Sequence, residues 1–346
     1  MTEEKFQGLE IGLYSISSTK DNTAVAQKAE ARGFRRVWLA EDHHSRDIFV
    51  QATAVAAATE SIEIALGIVN PYTRHPAQIA MAVADIEEMA GPRLVLGFGA
   101  AWSAITAHGI ENPRPIRALK EASEICRRLL QGERVAYEGE VFRLPEPGAK
   151  LGFELARSGV PIYFGTMGPK TLKMATASAD GILFSVFSSP AFVEDRMAHV
   201  RAAVAQAGRS IDDLDLACYI IFSVDEDGAV ALQAAKRVVA HYLARIADPT
   251  RAGFAGLDIE QVGALQKELK IALLEGRFEE AIETVPDHVV TALAVVGTPG
   301  QCIERLKAYA AAGIKTPVLY HTLGPDRIHA IDLIADQVRP ALLADA

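Results

Sequence analysis

Short apolar runs recur along the chain at 9–14, 36–40, 62–69, 93–98, 161–165, 181–185, 214–223 and 316–320. Between them lie stretches rich in Ala, Glu and Arg with helical patterning, at 22–33, 47–60, 76–90, 116–131, 169–179, 190–207 and 299–312. Gly33 and Gly313 stand where the first and last of these should stop, since glycine enters the left-handed conformation that ends a helix. Strand and helix patterns in alternation predict βα units around a parallel sheet. An Ala-rich stretch closed by Gly-Phe-Arg or Gly-Ile-Lys occurs twice, at about 24–35 and 304–315, each time feeding a strand. Eight strands with right-handed crossovers predict an α/β fold of the (β/α)8 TIM-barrel type. An open doubly wound sheet would place a G-x-G-x-x-G turn after its first strand. Here that strand runs into Ser15–Thr19 instead.

The spacing of the runs is uneven. It predicts one barrel domain over 1–346 carrying insertions at about 101–160 and 225–298. The first contains VAYEGEVFRL (135–144), which reads as a β-hairpin turning near Glu138–Gly139. The second is mostly helical by pattern. Both leave from C-terminal strand ends, the face on which barrels build active sites, so lids are their expected use.

Composition narrows the partners. Lys plus Arg is 35 against 44 Asp plus Glu, a formal charge of −9, with no basic patch for nucleic acid or an anionic membrane surface. The apolar runs are too short to span a bilayer, and MTEEKFQGLE lacks the order of a signal peptide. Cys126, Cys218 and Cys302 are scattered singly, which fits a reduced, cytoplasmic protein.

Four stretches carry candidate chemistry. VWLAEDHHSRD (37–47) ends the second strand with Glu41, Asp42, His43, His44, Arg46 and Asp47, groups that a barrel presents to its cleft as acids or bases. The plainer reading is an Asp/His pair capping the next helix, with Arg46–Asp47 bridging the surface. A metal has little support: adjacent histidines on an extended chain point opposite ways, and no spaced partner joins them. LGIVNPYTRHP (66–76) follows the third strand, with Asn70-Pro71 as a turn and Pro76 at a helix start. LGFGAAW (96–102) allows close approach of a ligand to the backbone but lacks the third glycine of a dinucleotide fingerprint. YFGTMGPKTLKMA (163–175) places glycines and Pro169 at a helix start, where backbone N–H groups and Lys170 could hold a phosphate. Tyr72, Phe98, Trp102 and Met167 could wall a flat ring. Serine-hydrolase, P-loop and H-E-x-x-H motifs are absent.

These four stretches, with Gly91-Pro92-Arg93, ADGILF (179–184) and VGTPGQCIERLKAYAAAGI (296–314), resemble the luciferase-like monooxygenase superfamily. The likeness is to its deazaflavin-dependent, methylenetetrahydromethanopterin-reductase-like branch. The resemblance implies a (β/α)8 barrel binding coenzyme F-420, or FMN as the alternative, at the C-terminal face. It implies a non-prolyl cis bond at Gly67–Ile68 that backs the cofactor ring, with Asn70 beside it. It further implies that Phe98, Gly99 and Ala100 line the cofactor and that Thr166, Met167, Gly168, Pro169 and Lys170 hold its phosphate. The branch's acid–histidine pair falls on Glu41 and Asp42 in one register, or on Asp42 and His43 in the next. Ala100 and Ala101 stand where the branch commonly carries a polar residue. The reading that follows is an oxidoreductase transferring hydride from reduced F-420 to a small organic substrate, in a homodimer. Its alternatives are an FMN-dependent monooxygenase using oxygen, and a non-catalytic flavin-binding barrel.

Overall fold

The computed structural model describes residues 6–42, 44–111, 113–245 and 249–343. Its strands in chain order are β1 (Glu10–Leu13), β2 (Arg36–Leu39), β3 (Glu63–Val69), β4 (Leu94–Phe98), β5 (Val135–Glu138), β6 (Arg143–Ala149), β7 (Ile162–Gly165), β8 (Gly181–Phe184), β9 (Asp215–Val224), β10 (Val295–Gly297) and β11 (Thr316–Leu323). Eight of these coincide with the eight apolar runs. β5 and β6 are the expected hairpin, paired antiparallel with Glu138 opposite Arg143. β10 was not foreseen: three residues inside the helical 225–298 segment lie parallel to the last three of β9.

The chain forms two compact units. One comprises Gly12–Leu183 with His199–Asp215. In it β2, β3, β4, β7 and β8 pair in that order, all parallel. The other comprises Met1–Ile11, Phe184–Ala198 and Leu216–Ala346. There β10, β9 and β11 pair in parallel, and Glu10 and Ile11 of β1 lie opposite Val318 and Leu319. The helices of 225–298 belong to this second unit: Gly228–Arg245, Thr250–Phe254, Ile259–Leu274, Phe278–Ile282 and Asp287–Leu293.

Buried polar side chains fasten strands to helices. Gly91, at φ 84°, ends helix Pro76–Ala90 and turns the chain toward Arg93. The Arg93 guanidinium is buried and donates to the carbonyls of Ala56, Thr59, Ile62 and Ala90 and to the Thr59 hydroxyl. Asp180 accepts the Ile162 amide at 2.7 Å, fixing the start of β7. Gln301 Oε1 accepts the Thr298 amide at 2.8 Å, one arm of a capping box at helix Pro299–Ala311.

Candidate functional site

A cleft of about 400 Å³ opens in the first unit, lined by Glu41, Asp42, His44–Asp47, Ile68, Asn70, Thr73, Arg74, Ala101 and His108. That volume suits a small organic ligand. It gathers three of the four stretches singled out by sequence: the tip of β2, the tip of β3 and the segment after β4.

One wall is locked by Arg74. Its Nη1 donates to Glu41 Oε1 at 2.7 Å, its Nη2 to Asp47, and its guanidinium lies 4.9 Å over the Phe49 ring. Glu41 Oε2 accepts the Asn70 amide at 3.2 Å, so both of its oxygens are engaged in holding the wall. Asp47 also accepts from the Phe49 and Val50 amides as the N-cap of helix Ile48–Ala58. Asp47 therefore caps the helix without a histidine, and its ion pair is with Arg74 in place of the expected Arg46. Asp42 lines the cleft half-buried, and its backbone bridges to Arg46 across a tight loop that places His44 at φ 63°. His43 lies outside the described residues.

The floor is Ile68. The Gly67–Ile68 peptide is cis, and the β3–β4 register shifts between Leu66 and Val69. The Ile68 side chain lies over glycines of the neighbouring strands. A Cβ on Gly165 would stand 2.7 Å from Ile68 Cγ2, and one on Gly99 would collide with Ile68 Cδ1. Both positions thus need glycine for the side chain to lie where it does. One face of Ile68 remains open to the cleft.

Beside it stands Asn70. Its Oδ1 accepts the Tyr72 amide at 2.9 Å, which sets the side chain in an Asx turn. Its Nδ2 is buried and has no hydrogen-bond partner among the described residues. A buried amide donor left without an acceptor costs about 1–3 kcal/mol, a cost that a bound carbonyl would relieve. The neighbouring His75 caps helix Pro76–Ala90 through Nδ1, accepting the Ala77 amide at 3.2 Å, which is a structural role.

The remaining expected contacts distribute as follows. Phe98 is fully buried with its ring 6.4 Å from Phe164, behind the floor, while Ala100 is half-exposed after β4. Thr166 to Lys170 continue directly from Gly165. Thr166 is buried and hydrogen-bonded to Thr171, Met167 is half-buried, and Gly168, Pro169 and Lys170 are exposed. Gly168 is the N-cap of helix Pro169–Ser178, and no side chain caps it. Among the described residues no group of three His, Cys, Asp or Glu could hold a metal ion.

Sequence reasoning passed over one polar cluster, in the second unit. His321, on β11 at φ 79°, is 1% exposed, and its Nε2 lies 2.6 Å from the Tyr242 hydroxyl. Burial, with the charges of His241 and Arg327, pushes its pKa well below the ordinary histidine value. A histidine interrupting the apolar run TPVLYHTL was the available signal.

The profile of the luciferase-like monooxygenase family matches residues 6–316, and the chain belongs to that family of (β/α)8-barrel enzymes. It is 35% identical to the 5,10-methylenetetrahydromethanopterin reductase of Archaeoglobus fulgidus, over 91% of this chain and 93% of the relative. It is 32% identical to the reductase of the same name from Methanolobus tindarius, over 90% and 94%. The structure of the coenzyme F-420-dependent tetrahydromethanopterin reductase from Methanopyrus kandleri superposes with a TM-score of 0.86 at 29% identity, covering 99% of this chain and all of that one. The fold is the (β/α)8 barrel that the apolar pattern predicted, of the luciferase-like kind that the resemblance implied, and the chain is an oxidoreductase of this kind.

Proposed function

We propose that this protein binds reduced coenzyme F-420 in the cleft of the first unit and directs hydride transfer to a small organic substrate there. The observation that carries the reading is the buried Asn70 Nδ2, a donor without an acceptor among the described residues, beside the glycine-bedded Ile68. These residues fit a flat heteroaromatic group: Ile68 offers an apolar surface to its face and Asn70 a donor to a ring carbonyl. When bound, the deazaflavin supplies the hydride, and the protein supplies position and electrostatics. Gly67, Gly99 and Ala100 border the ring, with Phe98 packed behind. Thr166, Met167, Gly168, Pro169 and Lys170 hold the phosphate through the uncapped helix start and the lysine charge. Asp42 manages the proton at the substrate, with His43 as the other candidate, while Glu41 holds Arg74 and the Asn70 amide in place. The F-420 dependence of the Methanopyrus reductase supports the deazaflavin over FMN. We further propose that the protein is cytoplasmic, with which three buried thiols outside any disulfide are consistent, and that it acts as a homodimer. Among the described residues no helix is long and apolar enough to cross a membrane.

Titration of the apoprotein with F-420 and with FMN, read by fluorescence quenching, tests the reading. F-420 is expected to bind the tighter, and Asn70→Ala to weaken it about tenfold, the worth of one hydrogen bond near 1.4 kcal/mol. The reduced holoprotein is expected to consume no oxygen above background, because carbon replaces N5 in a deazaflavin. Preference for FMN with rapid oxygen uptake would instead make the protein a monooxygenase. Binding of neither would leave only the barrel.

A further inference from the structure

The two arginines of the cleft are in different states. Arg74 has both Nη groups on carboxylates and its face on Phe49, so its charge is spent inside the protein. Arg46 donates only Nε, to the Ser17 carbonyl at 2.8 Å, and makes no ion pair among the described residues. That bond sets the plane of the guanidinium and leaves Nη1 and Nη2 without an acceptor among the described residues. Asp47, its neighbour in sequence, is taken by Arg74 and by the helix cap. The loop carrying Arg46 is itself held, by the Asp42–Arg46 bridge and by the Ser45 amide donating to the Asp42 carbonyl at 3.0 Å. Ser45 lies beside it in the cleft lining, as do His44 and His108, whose rings are 5.1 Å apart.

We infer that Arg46 is a specificity residue that anchors an oxyanion, a carboxylate or phosphate group, on the substrate taken up by this cleft. The inference rests on the reading of the cleft as the site of hydride transfer. A planar guanidinium with two adjacent donors matches a carboxylate in bidentate fashion, and it stays charged at any working pH. With Arg74 neutralised by Glu41 and Asp47, Arg46 is the one arginine of the lining whose charge can be answered by a ligand. The substrate class is therefore a small anionic molecule whose reducible bond reaches the cofactor while its oxyanion stays at the loop after β2.

The probes that test this are benzoate and its uncharged counterpart benzamide, titrated into the full-length protein and followed by broadening of the probe's own NMR lines, with and without F-420. Benzoate is expected to bind at least tenfold tighter than benzamide. Arg46→Ala should abolish that preference, and Arg46→Lys, which keeps the charge but not the fork, should restore part of it. A preference that survives Arg46→Ala, or that is absent from the unmodified protein, overturns the inference. So does loss of the preference in Lys170→Ala in place of Arg46→Ala, since the anion would then sit at the helix start. If the preference appears but F-420 does not bind, the cofactor reading falls and the anion site stands. If F-420 binds and no preference appears, the anion site alone falls.

Discussion

At the scale of single residues, charge in this chain is useful where it is unanswered and structural where it is answered. Arg93 is the extreme of the second kind, a buried guanidinium donating to four main-chain carbonyls. Its removal leaves the carbonyls of Ala56, Thr59, Ile62 and Ala90 buried without their donor. Each such group costs on the order of 1 kcal/mol or more. Arg93→Met is therefore expected to lower unfolding free energy by about 3 kcal/mol or more, in the range of broken buried networks. Urea denaturation followed by circular dichroism measures it. Arg93→Lys should recover less than half of the loss, because one ammonium cannot reach acceptors spread around a planar fork. A variant as stable as the parent would show that these carbonyls find water instead. Glu41 and Asp42 divide in the same way: adjacent acids at one strand tip, the first consumed by Arg74 and Asn70, the second lining the cleft.

At the scale of elements, the hairpin β5–β6 hangs on one carboxylate. Glu121, on helix Pro115–Leu130, accepts the amides of Glu140, Val141 and Phe142 at 2.9, 3.0 and 3.0 Å. Burial raises its pKa, but those three donors and Arg117 outweigh burial and hold the group below the ordinary 4.5. Since the folded value lies below the unfolded one, the contribution to stability is complete above about pH 5. It is lost as pH falls through the folded value. Glu121→Gln, with one acceptor oxygen in place of two, should reduce hydrogen-exchange protection of those amides at pH 7 by about tenfold or more, and should flatten the acid side of the stability profile. Equal protection in both proteins would place the hairpin's anchor elsewhere. This fastening was not legible beforehand, whereas the hairpin was: VAYEGEVFRL shows its turn locally, but its tether is an amphipathic helix residue about twenty positions upstream. The barrel strands were legible for the same local reason, because each apolar run is short and bounded by helix signals. β10 was not, because three residues carry no periodicity and pair only once β9 is in place. The site was legible as stretches but not as roles. Which acid meets Arg74, which amide donor is left over and where a glycine bed must lie are set by strands far apart in sequence. Gly91-Pro92-Arg93, ADGILF and VGTPGQ, which helped to carry the family resemblance, are fasteners of the scaffold and take no part in the cleft.

At the scale of the whole molecule, an apolar surface has to be reconciled with a net charge of −9. Val50 is 62% exposed, Met81 44% and Met89 53%, on helices Ile48–Ala58 and Pro76–Ala90, which pack against each other. Large apolar side chains exposed on two helices that pack together are what a contact surface would use. The homodimer proposed above would cover them with the same residues of a second copy, as a twofold interface requires. Two copies of charge −9 repel at long range, and salt screens that repulsion while leaving apolar burial intact. The dimer should therefore tighten between about 20 and 200 mM salt, where the Debye length falls below roughly 10 Å. Sedimentation velocity at micromolar protein is expected to show a dimer, and Val50→Glu combined with Met89→Glu a monomer that still binds F-420. Cofactor binding by that monomer would show that the cleft is complete within one chain. A double variant that remains dimeric would move the interface to another face, and an unmodified protein that sediments as a monomer would remove the dimer altogether.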